Sequence, residues 1–318
     1  MDARYENGAL TWTTTVTPEV TKKMLVAHHA IETTLRYLEA KGVSPAPFAV
    51  ETENKDTLIN LPGGGTTKVG FGSSAAATAG LVAAILSHAG DDLSLREAKD
   101  RVFKISTLAH YLAQGKVGSA FDIAAATYGG TLIYERFDPE WLIKETNAKP
   151  LPQVIDEKWP SFTAEHLKMP EGFTLLAAFS GVSASTTEFV KKVSELKKTN
   201  PMEYNLIYGA IADITHHFIA AAKEGDTEET LSLLCENRKL LLQLQRSSGV
   251  TLEIPQLTNI IETANKAGAA AKFSGAGGGD CAIAVTYDHK VASEVKKKWA
   301  EAGIPEIPVK IPEKGAAG

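Results

Sequence analysis

The sequence predicts an α+β protein of two lobes. Three observations carry this expectation. Strand-like segments are separated by helix-like ones in both halves of the chain. The length of 318 residues, at roughly 100–200 residues per domain, fills two cores. A polar, proline-rich stretch from 148 to 170 lies between the halves, so the lobes are expected at residues 1–160 and 161–318.

Composition narrows the function classes. The chain is 44% hydrophobic and 22% charged, with a net charge of −5. That balance argues against a general nucleic-acid binder, which presents a basic face to phosphates. The two cysteines, Cys235 and Cys281, are far apart and show no CxxC spacing, so neither a disulfide scaffold nor a cysteine zinc site is expected. The longest weakly polar run, Ala75 to Leu86, stops at Ser87-His88, short of the roughly 18–20 apolar residues of a membrane span. The first residues lack the basic start and apolar core of a signal peptide. The expectation is a soluble cytoplasmic chain.

The elements follow in order. Val20, Met24, Ile31, Leu35 and Leu38 recur at helical spacing between Pro18 and Gly42, predicting a helix over 18–41. Pro47 to Glu53 reads as a strand. A glycine loop over 62–74 leads into a helix of small apolar residues that runs to about Ala89. Ser94 and Glu97 have the spacing of a capping box for a helix reaching about Ala113. Gly115 to Gly118 opens an Ala-rich helix that ends at Gly129-Gly130, with Ser119 as its expected N-cap, and Thr131 to Phe137 reads as a strand. Past the boundary come a buried strand from Phe173 to Phe179, then helices at 185–198, 202–223, 227–246 and 256–267. An apolar, glycine-rich stretch (271–285), a helix (290–302) and a strand (307–311) close the chain, and the tail after Lys314 is expected to be disordered.

Three loops carry chemistry. The first reads Lys68-Val-Gly70-Phe-Gly72-Ser73-Ser74-Ala75. Its glycines allow successive N–H groups to converge, and the following segment presents the positive end of a helix, which together make a phosphate cradle. It matches neither GxxxxGK[ST] nor GxGxxG, and a glycine-rich connection into a tightly packed helix is the structural alternative. In the second, Gln114-Gly115-Lys116-Val-Gly118-Ser119-Ala120-Phe121-Asp122, the carboxylate of Asp122 falls in the first turn of a helix. It either complements the helix dipole or serves a catalytic centre beside Lys116. The third, Lys272-Phe-Ser274-Gly275-Ala-Gly277-Gly278-Gly279-Asp280-Cys281, implies close backbone approach to a ligand or to another segment; a long hairpin turn is the alternative. His110 and Gln114 share a helix face at i, i+4, near Asp122 in sequence, and helix packing is the simpler account of them. His28-His29, His216-His217 and Cys281 read as structural, and Lys296 to Lys298 as a solvated face.

In this order the three loops resemble those of the GHMP small-molecule kinases. The block at 113–129, followed by Tyr134 to Pro139 and Phe179 to Thr186, is most similar to the phosphomevalonate kinases of eukaryotic and archaeal type. The resemblance extends from about residue 20 to about 312. It implies the two-lobed GHMP fold: an N-terminal lobe like domain 2 of ribosomal protein S5 and a ferredoxin-like C-terminal lobe. It also implies transfer of the γ-phosphoryl group of ATP, with Mg²⁺, to 5-phosphomevalonate. Carried over by motif, Gly70, Gly72, Ser73, Ser74 and Ala75 would bind the nucleotide, with Ser74 also on the metal. Asp122 and Lys116 would serve catalysis. Ser119, Ser183, Ser185, Ser274, Gly275, Gly277 and Gly278 would hold the acceptor.

The sequence departs from the family pattern at several points. Phe71 stands where leucine is usual, Ala120 where glycine is usual and Thr66 where proline is usual. The family's opening strands and its Gly-Lys segment have no counterpart before residue 18, so the N-terminal lobe is expected to be incomplete. A GHMP kinase acting on mevalonate or another mevalonate phosphate, and a non-catalytic ligand-binding protein of this fold, are the competing readings.

Overall fold

A computed structural model of the chain describes residues 2–15, 17–53, 58–60, 66–68, 72–115, 118–182 and 186–316. The elements run β1 (Ala3–Glu6), β2 (Ala9–Trp12), α1 (Pro18–Ala40), β3 (Leu58–Asn60), β4 (Thr66–Lys68), α2 (Ser73–His88), α3 (Arg96–Gln114), α4 (Phe121–Tyr128) and β5 (Leu132–Glu135). They continue α5 (Pro139–Ala148), α6 (Leu151–Asp156), β6 (Thr163–His166), β7 (Thr174–Phe179), α7 (Thr186–Thr199), α8 (Pro201–Glu224), α9 (Thr227–Ser248) and α10 (Pro255–Lys266). The last are β8 (Ala270–Phe273), β9 (Cys281–Thr286), α11 (His289–Glu301) and β10 (Glu306–Ile307). Two compact units result, one of residues 1–55, 71–166 and 311–318, the other of 56–70 and 167–310.

The first unit is mainly helical. Helix α1 starts where the sequence places it, with Pro18 in its first turn and the Thr17 hydroxyl accepting the Val20 N–H at 3.3 Å. Its core gathers Phe103 on α3, Tyr128 on α4, Phe137 and the fully buried Trp159. Phe162 stacks on Phe103 at 4.5 Å, and β6 pairs antiparallel with β5. The proline-rich stretch thus supplies packing and a strand to this unit up to His166.

The second unit is built on an antiparallel sheet in the order β10-β7-β9-β8. Helices α7 to α10 lie between β7 and β8, and α11 lies between β9 and β10. This is the split β-α-β topology of a ferredoxin-like lobe. One sheet face buries Leu176, Ala178, Phe273 and Ala282 with Leu257, Ile261 and Trp299 of α10 and α11, and the alternate residues Ala177, Phe179 and Cys281 cluster on the other with Ile307.

Several expectations are corrected. Pro47–Glu53 forms no strand: Val50 is 39% exposed and the segment enters no sheet, while Phe48 packs against His88. Two strands do precede residue 18, joined by Asn7-Gly8 with φ of 52° and 78°, the geometry of a primed hairpin turn. The capping box at Ser94 does not form; Asp92 Oδ1 takes the Ser94 N–H at 2.9 Å in a local turn, and α3 begins one residue later with Leu95 as N-cap. Ser119 is not the N-cap of α4; Ala120 is, at φ 57°. The final strand is only Glu306–Ile307, since Pro308 has no N–H to extend the ladder. Gly315 and Ala316 of the tail are docked, donating to Tyr128 O at 3.2 Å and to Ala126 O and Thr127 O at 3.0 Å.

Candidate active site

Gly72 opens helix α2 in the left-handed region, at φ 72°, and among the described residues no side chain caps the first turn. The N–H groups of that turn are therefore available to an anion, aligned with the helix dipole. Ser73 is half-buried, Ser74 exposed and Ala75 fully buried. Ala75 anchors the turn in the core while Ser74 stands at the surface.

Asp122 lies directly beside this turn. A Cβ added at Gly72 would stand 3.2 Å from Asp122 Cβ and 3.7 Å from Asp122 Oδ2. Glycine is needed at position 72 both for its dihedral and for this close approach. Asp122 Oδ1 accepts the N–H of Ile123 at 3.0 Å, which fixes the carboxylate in the first turn of α4. Upstream, Ser119 is exposed and its carbonyl accepts the Tyr134 hydroxyl at 2.6 Å. Burial raises the Tyr134 pKa, with Asp122 adding to the rise, so the phenol stays protonated as a donor.

His110 is drawn into the same region. Its Nε2 lies 3.1 Å from Thr78 Oγ1, and the Thr78 hydroxyl donates to Ser74 O at 2.8 Å. Its Nδ1 lies 3.3 Å from Gln114 Nε2, which realises the i, i+4 pairing. Burial lowers the imidazole pKa, against opposing effects from Asp122 and from a hydrogen bond to the Ser74 backbone. A histidine read from sequence as helix packing thus braces the first turn of α2. The signal was its position on the helix that leads into Asp122.

In the second unit the glycine loop joins β8 to β9. Ser274 is half-buried and its N–H donates to Cys281 O at 2.9 Å, closing the ladder. Gly275, Gly277 and Gly278 all adopt positive φ, at 68°, 76° and 77°. The loop is therefore a hairpin turn and also a tightly held array of backbone amides. Lys272, just before it, is half-buried, and its ammonium donates to Phe273 O at 3.0 Å. Burial pushes the Cys281 thiol up to about 12, so it is a packed thiol and not a nucleophile.

Of the residues singled out by sequence, Gly72, Ser73, Ser74, Ala75, Ser119 and Asp122 belong to the first unit, and Ser274, Gly275, Gly277 and Gly278 to the second. Gly70, Lys116, Ser183 and Ser185 lie outside the described residues. No group of three or more His, Cys, Asp or Glu side chains among the described residues could cage a metal. Mg²⁺ suits the donor set that is present, because it keeps several waters and takes few protein oxygens beside substrate phosphates. The hydroxyl of Ser74, an exposed residue, is such an oxygen. No helix among the described residues is long and apolar enough to cross a membrane.

Two family models match the chain: the GHMP kinases N terminal domain over residues 28–130 and the GHMP kinases C terminal over 218–305. The chain is 29% identical to the phosphomevalonate kinase of Streptomyces sp. (strain CL190), over 88% of this chain and 72% of that protein. It is 30% identical to the phosphomevalonate kinase of Saccharolobus solfataricus, over 77% of this chain and 68% of that one. It spans less of the fungal relatives, for instance 57% of the Gibberella zeae phosphomevalonate kinase. Among solved structures, its fold is similar to that of Streptococcus pneumoniae phosphomevalonate kinase in complex with phosphomevalonate and AMPPNP. The TM-score is 0.73 at 22% identity, over 94% of this chain and 83% of that one.

Proposed function

The chain belongs to the GHMP kinase family, and from that membership we propose that it transfers the γ-phosphoryl group of ATP to the phosphate of 5-phosphomevalonate, giving a diphosphate. The observation that carries this reading is the uncapped first turn of α2 with the Asp122 carboxylate packed against Gly72. An anion site and a carboxylate held in one place stand side by side there, which suits a reaction that depends on positioning and charge. The names of the two relatives and the ligands of the Streptococcus neighbour support the choice of substrates. In this reading the first unit is the nucleotide lobe and the second the C-terminal lobe, and the enzyme works in the cytoplasm.

Gly70, Gly72, Ser73, Ser74 and Ala75 hold the ATP phosphates through backbone amides and the helix dipole. Ser74 is the side chain that would hold a Mg²⁺ ion arriving with the nucleotide, and the ion would supply neutralisation of phosphate charge. By motif alone, Ser119, Ser183, Ser185, Ser274, Gly275, Gly277 and Gly278 are each assigned to the acceptor and Lys116 to offsetting its charge. A phosphate monoester with a second pKa near ~6 is mostly dianionic at neutral pH, so its attacking oxygen needs little deprotonation. Asp122 therefore orients the acceptor more than it removes a proton.

ADP release from Mg·ATP, measured with 5-phosphomevalonate, with mevalonate and with no acceptor, tests the proposal. Release is expected only with 5-phosphomevalonate; release only with mevalonate, or with no acceptor at all, overturns it. Asp122→Asn should cost less than the ~10²–10⁴-fold of a lost general base and should keep the acidic limb of the pH profile.

A further inference from the structure

The glycine loop of the second unit does not hold its shape alone. Gly278 donates its N–H to Leu252 O at 2.5 Å. A Cβ at Gly277 would lie 2.3 Å from the same carbonyl, and one at Gly278 would lie 2.1 Å from Phe189 Cζ. The loop therefore rests on Phe189 of α7 and, through Leu252 O, on the segment between α9 and α10, and a shift of that segment is passed to the loop.

That segment is fixed in turn by side chains that play no part in the proposed chemistry. Gln245 Oε1, on α9, accepts the N–H groups of both Leu252 and Glu253 at 2.8 Å. The Glu253 carboxylate, 2% exposed, receives Arg238 Nε at 2.9 Å and Nη2 at 2.7 Å, a two-pronged pair, and the Thr258 hydroxyl at 3.0 Å. Arg238 Nη1 also reaches Glu262 on α10 at 2.7 Å. Val250 and Leu252 are buried beside these groups. A buried ion pair contributes little net stability compared with well-packed apolar side chains. What a fork-on-carboxylate pair does supply is fixed geometry.

We infer that Gln245, backed by the Arg238–Glu253 pair, is the positioning residue of the glycine loop. It sets the height of the Leu252 carbonyl, and the carbonyl sets where the amides from Gly275 to Gly279 point. Gln245 touches no reacting group; it acts through Leu252 and Gly278. The inference rests on the proposed function in one respect only, that this loop contacts the acceptor.

The test pairs Gln245→Leu, which removes the acceptor of two amides, with Gln245→Glu, which keeps an oxygen there. Hydrogen exchange of the peptide spanning 274–281 should quicken about tenfold or more in Gln245→Leu, with α2 peptides unchanged, and should be restored in Gln245→Glu. In the kinase assay Gln245→Leu should lose at least about tenfold in kcat, as a displaced site does, with the KM for ATP nearly unchanged. Wild-type exchange across 274–281 in folded Gln245→Leu overturns the inference, as does undiminished kcat. If Gln245→Leu fails to fold, Glu253→Gln, which weakens the pair at constant shape, is read by the same two criteria. A wild-type chain that turns over no acceptor overturns the proposed function instead, and the exchange measurement still decides the role of Gln245.

Discussion

Lys272 brings a cation into the second unit where no carboxylate among the described residues pairs with it. Its cross-strand partner is Ile283, and burial lowers its pKa from 10.5 to about 8. The sign of the linkage follows. Below about pH 8 the ammonium is charged in both states and the full burial penalty applies; between about 8 and 10.5 the unfolded chain holds more protons, so stability rises with pH. Lys272→Met should therefore stabilise the protein at pH 7 by on the order of 1–3 kcal/mol. Its advantage over the wild type should shrink as the pH rises from 8 towards 10.5, as followed by urea unfolding. No advantage at pH 7 would mean that the ammonium is satisfied. Ala120 is a second residue held at a cost. At φ 57° its methyl is strained by about 1 kcal/mol, which explains why the resemblance places glycine there. The places of Asp122 and Ser74 in the first turns of their helices were legible in the sequence because their loops have fixed spacing, and so was the pairing of His110 with Gln114. The contact of His110 with Thr78 was not, because Thr78 is 32 residues away on another helix.

Among the elements, α4 shows how a short helix is held. It has eight residues, and three of its last carbonyls, those of Ala126, Thr127 and Tyr128, accept N–H groups from Gly315 and Ala316. The Gly130 N–H returns a bond to Pro312 O at 2.7 Å. The chain end thus satisfies the carbonyls a helix terminus leaves open. Position 315 admits no side chain, because a Cβ there would lie 2.3 Å from Thr127 O. Gly315→Val should release the tail, lower stability by about 1–3 kcal/mol and speed exchange of the peptide spanning 121–130, while a shift confined to the tail itself would show that α4 stands alone. The long helices were legible from their periodicity to within about two residues. The hairpin at Asn7-Gly8 was missed although its turn dipeptide is a strong signal, and the strand over Pro47–Glu53 was expected from residues that find no partner strand.

Taken as a whole, the molecule has separate cores, one around Phe103 and Trp159 and others on the two faces of the ferredoxin-like sheet. A ligand that binds only the folded chain stabilises it by about 2.7 kcal/mol at 100 times its Kd. Mg·AMPPNP should accordingly raise the melting temperature by several degrees and EDTA should remove most of the rise; no shift at millimolar nucleotide would argue against the site at α2. The sequence alone determined the α+β class, the long helices and the glycine-rich character of the three loops, because helical periodicity and glycine spacing are local and can be read along the chain. The short helices α5 and α6, in and beside the proline-rich stretch, were not read from it. Tertiary structure decided the rest: the strand order β10-β7-β9-β8, the contact of Gly72 with Asp122, the seat of Gly278 on Leu252 and the docking of Gly315 on α4. Each of these joins segments distant in sequence, and which backbone groups meet there depends on how whole elements pack.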